Sequence, residues 1–144
     1  MKLVIIANDA EVKKHINDLP DLTPRATRRA FYDIGRDMRD ETRRLIMERP
    51  KHGRIYYRFG RKHIASAPGE APANWTGKLR KSVGFSVRRD EVEYGYKIFY
   101  GKFLEEGTYK MKPRPGLRKA YENKIGSAIN HFNMRFKEQL EGKL

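Results

Sequence analysis

The stretch VGFSVRRDEVEYGY, residues 83–96, decides the fold class, because its side chains fix the register of a β-hairpin. With Arg89 and Asp90 in the turn, three apolar cross-strand pairs fall on one face: Val83 with Tyr96, Phe85 with Tyr94, and Val87 with Val92. A sheet with one apolar face needs another layer to cover it. We therefore expect helices on either side of this hairpin.

Two long amphipathic helices are predicted, at about 24–48 and about 115–141. Thr23 and Pro24 are typical of an N-cap and a first helical position, and the first helix has a core face made of Phe31, Ile34, Met38 and Leu45. In the second helix the apolar residues recur mostly every four positions: Leu117, Tyr121, Ile125, Ile129, Phe132, Phe136 and Leu140.

Shorter elements complete an α+β fold in a single domain, residues 1–144. The run KLVIIA, residues 2–7, fits a strand that joins the hairpin 83–98 in a small antiparallel sheet. A helix capped by Asp9 would follow this strand. Thr76 is predicted to cap a short helix at 77–82, and Gly107 to end the helical turns that begin near Tyr100.

The segment 49–75 is predicted to be a long irregular loop, extended as an arm. In the middle of this segment, aromatic side chains alternate with cations, in the stretch RIYYRFGRKH, residues 54–63. This pattern suits the stacking of bases, and it equally suits a protein interface. The part SAPGEAP, residues 66–72, consists of small residues, prolines and glycine, so we expect it to supply nothing to a core.

The net charge of the chain is strongly positive. Lys and Arg number 32 against 18 Asp and Glu, which gives +14. Such a field attracts polyanions, whether nucleic acid or an acidic protein face. The chain has no cysteine, which excludes disulfides and thiolate chemistry. The longest apolar run is far too short to span a bilayer, so we expect no membrane contact.

The first long helix segregates its charges. On a helical wheel the basic residues of one flank are all arginines: Arg25, Arg28, Arg29, Arg36, Arg39 and Arg43. The opposite flank is acidic, with only Arg44 crossing over: Asp33, Asp37, Asp40, Glu41 and Glu48. Because the arginine guanidinium can make two parallel hydrogen bonds to a carboxylate or a phosphate, the Arg flank is a candidate interface.

Catalytic and ligand-binding motifs are missing from the sequence. Gly69 lies among prolines with no Lys-Ser or Lys-Thr after it, so there is no phosphate-binding glycine loop. The four histidines have no metal-ligand spacing, and the adjacent Glu105 and Glu106 cannot face each other on a helix. We therefore expect a protein without catalysis, metal or cofactor.

The order of these segments resembles the minor tail component and head–tail joining proteins of long-tailed bacteriophages, a neck or tail-completion family. Four landmarks carry the likeness: a proline-glycine loop, a Thr-Gly-x-Leu-x-x-Ser step, a Leu-Glu-x-Gly-Thr turn, and Arg-Pro before the terminal helix. In this chain they fall on Pro68, Gly69 and Glu70; Thr76, Gly77, Leu79 and Ser82; Leu104, Glu105, Gly107 and Thr108; and Arg114, Pro115, Leu117 and Ala120. Gly116 departs from the family pattern, which usually has an aromatic residue there.

The resemblance implies a structural protein of the virion neck or tail, assembled in the cytoplasm of a bacterial host. Its expected partners are further copies in a ring and neighbouring neck, connector or tail-tube proteins, with non-specific DNA contact as an additional interaction. The interface candidates combine the helix flanks with the basic loop and its surroundings: Arg25, Arg29, Arg36, Arg39, Arg43, Asp33, Asp37, Asp40, Arg54, Tyr56, Tyr57, Arg58, Trp75 and Lys78. The alternative is a cytoplasmic nucleic-acid-binding protein that uses the Arg flank of helix 24–48 and the loop 54–63.

Overall fold

The computed structural model describes residues 2–6, 24–88 and 91–141. The predicted N-cap Thr23, the helix capped by Asp9 and the hairpin turn 89–90 lie outside these residues. In chain order the elements are β1 (Lys2–Ile6), α1 (Pro24–Met47), β2 (Ile55–Arg58), β3 (Arg61–Ile64), α2 (Lys78–Ser82), β4 (Val83–Arg88), β5 (Glu91–Tyr96), α3 (Gly101–Glu106) and α4 (Leu117–Leu140). The α+β class and both long helices are confirmed.

The central sheet has three antiparallel strands in the order β1–β5–β4. The hairpin register is the predicted one, with Val83 opposite Tyr96, Phe85 opposite Tyr94 and Val87 opposite Val92. Val92 and Tyr94 are fully buried on the face that the helices cover. The apolar cross-strand pairs therefore predicted the register of the hairpin correctly.

Helices α1 and α4 pack on each other, and α1 also packs on the hairpin. The predicted core face of α1 is buried: Phe31, Ile34, Met38 and Leu45. Gly35 lets α1 approach β4 closely, because a Cβ at this position would lie 2.4 Å from the Phe85 ring. The Tyr94 hydroxyl donates a 2.6 Å hydrogen bond to the carbonyl oxygen of Leu117 and so ties the sheet to the start of α4.

The segment 49–75 is not the irregular loop that was predicted. Its middle forms an antiparallel hairpin, β2 with β3, and the two residues of the turn, Phe59 and Gly60, both have positive φ. Such a turn matches the twist of a two-residue hairpin, but phenylalanine rarely adopts positive φ, so the sequence did not indicate it.

The prediction that residues 66–72 supply nothing to the core is wrong. Ser66 and Ala71 are 3% exposed, and Pro72 is fully buried. Ala71 packs with Leu45 and Ala120 in a small cluster between the two long helices. Small side chains fit there because α1 and α4 lie close together.

Of two predicted helix ends, one differs in detail and the other is confirmed. The cap position of α2 is Gly77, in a left-handed conformation without a side-chain cap, and the Thr76 hydroxyl accepts the Lys78 amide only at 3.4 Å. Helix α3 does end at Gly107, with φ +79°, as predicted.

Candidate interface and its supporting corner

The first turn of α4 is held by a carboxylate from α3. Glu105 is 1% exposed, and its two oxygens accept the backbone amides of Gly116, Leu117 and Arg118 at 2.9, 3.1 and 2.8 Å. These amides have no hydrogen-bond acceptor within the helix, and they lie at the positive end of the helix dipole. Glu105 is therefore the N-terminal cap of a helix that begins twelve residues further along the chain.

The proline-glycine loop is tied to the same corner. The Gly69 amide donates to the carbonyl oxygen of Pro113 at 2.9 Å. The Arg114 guanidinium donates to the carbonyl oxygen of Ser66 at 3.0 Å, and the Arg114 amide to that of Leu104 at 2.7 Å. Three of the four sequence landmarks thus meet in one hydrogen-bonded corner.

The base of the β2–β3 hairpin is fixed by two charged groups. Lys51 is 5% exposed, and its ammonium group donates to the carbonyl oxygens of Leu45 and Ala71 at 2.9 and 3.1 Å. Burial lowers the pKa of Lys51. Glu70 accepts the Ala67 amide at 2.8 Å and contacts the His52 ring. These hydrogen bonds lower the pKa of Glu70 to about 2. The hairpin therefore projects from a rigid base.

The hairpin itself is exposed, apolar and basic. Ile55 is 49% exposed, Tyr57 74% and Phe59, at the tip, 94%. Arg58 and Arg61 are direct cross-strand partners, an arrangement of like charges that destabilises an isolated hairpin. Within the described part of the chain, no carboxylate pairs with either arginine.

One face of the hairpin forms a cleft with Trp75, the only tryptophan. The cleft, about 480 Å³ in volume, is lined by Tyr56, Tyr57, Arg58, His63 and Trp75. The His63 and Trp75 rings meet edge to face with their centroids 4.4 Å apart. Burial lowers the pKa of His63, and the positive charge of Arg49 lowers it further, so the ring favours its neutral form.

A second cleft of about 530 Å³ continues from the first toward the supporting corner. Tyr56, His63 and Trp75 line both clefts. The second adds residues from the sequence landmarks: Thr76, Gly77, Leu79, Leu104 and Arg114. Three of the four landmarks thus contribute to this cleft, and the remaining one, the loop at Gly69, belongs to the supporting corner. Lys78, next to Gly77, is exposed.

The Arg flank of α1 is partly occupied by contacts within the subunit. Arg36 pairs with Asp33 and Asp37 at 3.3 and 3.5 Å. Arg39 pairs with Asp40 at 2.7 Å, an interaction that raises the pKa of Arg39.

Two arginines of the flank also hold α1 against β4. The Arg39 guanidinium lies over the Phe85 ring, and Arg43 donates to the carbonyl oxygen of Val83 at 2.9 Å. Arg28 and Arg29 are exposed and have no carboxylate partner among the described residues. The side chain of Arg25 lies outside the described set.

The acidic flank of α1 faces α4. Asp33 lies 3.5 Å from Arg135, and Asp37 lies 3.9 Å from the His131 ring. Glu41 is buried and accepts a 3.0 Å hydrogen bond from the Asn123 side chain.

Glu41 also accepts two hydrogen bonds from the Arg44 guanidinium, one from Nε and one from Nη2, both at 2.8 Å. The hydrogen bonds from Arg44 and Asn123 lower the pKa of Glu41 to about 2. Charge segregation on α1 therefore reflects packing between two helices of one subunit.

Residues 2–6, 24–88 and 91–141 contain no group of three or more His, Cys, Asp or Glu that could hold a metal ion. Among the described helices, none is long and apolar enough to cross a membrane.

No family model, curated protein or solved structure matches the chain.

The roles of three residues in this region are not predicted from the sequence. Glu105 belongs to an acidic pair and to the Leu-Glu-x-Gly-Thr landmark but is not predicted as a helix cap, Lys51 has no predicted role, and His63 is one of four scattered histidines. Gly60, which follows Phe59, is the one local signal in the sequence for a hairpin turn here. A hairpin with this turn places His63 opposite Tyr56. Nothing local indicates a cap that reaches twelve residues along the chain.

Proposed function

We propose that this chain is a non-catalytic structural component of a phage virion, which joins head to tail through self-association and contacts with neighbouring neck or tail proteins. The sequence landmarks of that family support the proposal, because they surround one cleft and its supporting corner. Landmarks scattered by chance would have no reason to share hydrogen bonds such as that from the Arg114 amide to the Leu104 carbonyl oxygen.

The exposed β2–β3 hairpin carries the proposal. A two-stranded hairpin is marginally stable in water, and this one exposes Ile55, Tyr57 and Phe59. In the β2–β3 sheet each strand has one unpaired edge, and unpaired edges add strands from other chains. A neighbouring subunit that covered the hairpin would bury its aromatic rings and would supply hydrogen-bond partners for the backbone groups at these edges.

The flanks of α1 are less suited to ring formation than the hairpin. Asp33 and Asp37 already contact α4, so they are not free to meet the Arg flank of a neighbour. Asp40 remains exposed, but it is paired with Arg39. We therefore place self-association on the hairpin.

Sedimentation velocity in buffer free of nucleic acid tests this assignment. Wild-type protein is expected to form a discrete oligomer as its concentration rises, and Phe59→Ser is expected to shift the population to monomer. Tyr109→Ser is the matched control, because Tyr109 is 93% exposed and Phe59 94%. A wild type that stays monomeric at every concentration, or equal loss in both variants, would overturn the assignment.

The alternative function, a nucleic-acid-binding protein, loses part of its basis. Arg36, Arg39 and Arg43 already have partners within the subunit, so the Arg flank is not an open phosphate-binding surface. On the described part of the flank, Arg28 and Arg29 remain exposed without a carboxylate partner, so such a function would rest on these two arginines and on the cations of the hairpin.

A further inference from the structure

We propose that the cleft between the β2–β3 hairpin and Trp75 binds single-stranded nucleic acid, with bases stacked on its aromatic rings and phosphates on the arginines of the hairpin. This binding site goes beyond the proposed structural function. It belongs to the unassembled subunit, because a neighbour that covers the hairpin would compete with the strand for the same rings. RNA and DNA share the chemistry involved, namely flat bases and a phosphate backbone.

The charge around the cleft is uncompensated. Between Glu48 and Glu70 the sequence contains no Asp or Glu and six Lys or Arg. Four of these cations belong to the hairpin or its base, and no described carboxylate pairs with them: Arg54, Arg58, Arg61 and Lys62. Holding Arg58 opposite Arg61 costs free energy in the free protein, and a bound phosphate between them would remove that cost.

The rings of the cleft offer faces for stacking. Tyr56 is 48% and Trp75 38% exposed, so a planar group can reach both. The Arg54 guanidinium lies 5.4 Å from the Tyr56 ring centroid, which adds a second kind of surface on which bases stack. A volume of about 480 Å³ falls in the range of ligand-binding clefts, roughly 300–1,000 Å³.

A single strand suits this cleft better than a duplex or an acidic peptide. In a duplex the base faces are hidden by neighbouring base pairs, so the aromatic rings of the cleft would contribute nothing to binding. An acidic peptide would satisfy the arginines but has few flat groups to place against Tyr56, Tyr57, His63 and Trp75. Cations interleaved with aromatic rings are typical of single-strand binding sites.

The fluorescence of Trp75 tests the proposal directly, because the chain has no other tryptophan. The probes are oligo-dT and oligo-rU of about 15 nucleotides, near the upper site size of small single-strand modules. Protein is kept dilute, below the onset of self-association. Both probes are expected to quench Trp75 saturably, and a preference between them assigns the strand as DNA or RNA.

Two variants measure the two parts of the site. Tyr56→Ala is expected to weaken binding at least about fivefold, the lower end of what one stacked base contributes. Replacing Arg58 and Arg61 by Ala is expected to reduce the slope of log K against log salt by about 1.4, since each single-strand phosphate contact contributes about 0.7. The control, Arg28→Ala with Arg29→Ala, removes the same charge elsewhere and should leave that slope unchanged.

Several outcomes would overturn the proposal. These are quenching that is absent at low salt, tighter binding of duplex than of single strand, and displacement of the oligonucleotide by an equimolar acidic peptide. The proposal would also be overturned if the slope of log K against log salt were the same for the hairpin variant and the α1 control. Circular dichroism checks that each variant folds. If Tyr56→Ala does not fold, the variant at Arg58 and Arg61 still tests the proposal, because both arginines are on the surface. A wild type that binds oligonucleotide but never oligomerises would contradict only the proposed structural function.

Discussion

Replacing the buried cap Glu105 by glutamine perturbs the corner where the sequence landmarks meet. Glutamine keeps the shape of the side chain but loses its charge, and its amide group would face one of three backbone donors. In the wild type these donors, the amides of residues 116–118, lie 2.8–3.1 Å from the carboxylate. The variant therefore leaves at least one buried donor without an acceptor.

The magnitude follows from the number and type of these hydrogen bonds. A hydrogen bond to a charged group contributes about 1.5–3 kcal/mol, and a buried charge at a helix terminus up to about 2 kcal/mol. Because glutamine retains one acceptor, we expect Glu105→Gln to lower the free energy of unfolding by about 3 kcal/mol. For a domain of about this size, that corresponds to a melting temperature lower by about 6–12 °C.

Thermal and urea unfolding, followed by circular dichroism, would measure this change. The control is Glu106→Gln, because Glu106 is adjacent but exposed and contacts only Lys102, at 4.0 Å. We expect less than about 0.5 kcal/mol for the control. Equal effects of the two substitutions, or no effect of Glu105→Gln, would refute the assignment of Glu105 as the cap of α4.

Three further predictions concern stability. Gly107→Val should cost at least about 1–3 kcal/mol, since φ is +79° and the new Cβ would lie 2.7 Å from a backbone carbonyl oxygen; an unchanged melting temperature would contradict this. Gly116→Ala should destabilise the wild type, because its Cβ would lie 2.3 Å from the Tyr96 hydroxyl, and less so in Tyr96→Phe; equal costs in both backgrounds would exclude this clash. Glu41 and Glu70 have pKa values of about 2 in the folded state, below their ordinary value, so their stabilisation is complete above about pH 4.5 and is lost as the pH falls toward 2. Urea unfolding across that range should show this loss, and Glu70→Gln should reduce it; a pH dependence unaltered by the substitution would be the contrary result.

The sequence was most informative where side chains repeat with the period of an element. Three apolar pairs fixed the register from Val83 to Tyr96, since a shift by one residue would have turned every pair to the solvent side. The core face of α1 followed from the same kind of periodicity. Gly107 was predictable because a residue with positive φ at a helix end favours glycine.

Contacts between segments distant in the chain were not predictable. Ala71 and Pro72 are buried because α1 and α4 leave a narrow space, and composition alone suggested a solvent-exposed loop. The two charged flanks of α1 suggested an interface between subunits, whereas Asp33 and Asp37 contact α4 of the same subunit. The charge pattern was real, but the partner of a charged side chain depends on the tertiary structure.

Electron microscopy of purified full-length chain, concentrated in nucleic-acid-free buffer, tests the proposed structural role most directly. Closed rings are expected, with the β2–β3 hairpin of each subunit covered by its neighbour and with Phe59 inside the contact. Isolated subunits at all concentrations, or rings whose hairpins project into solvent, would contradict the proposal.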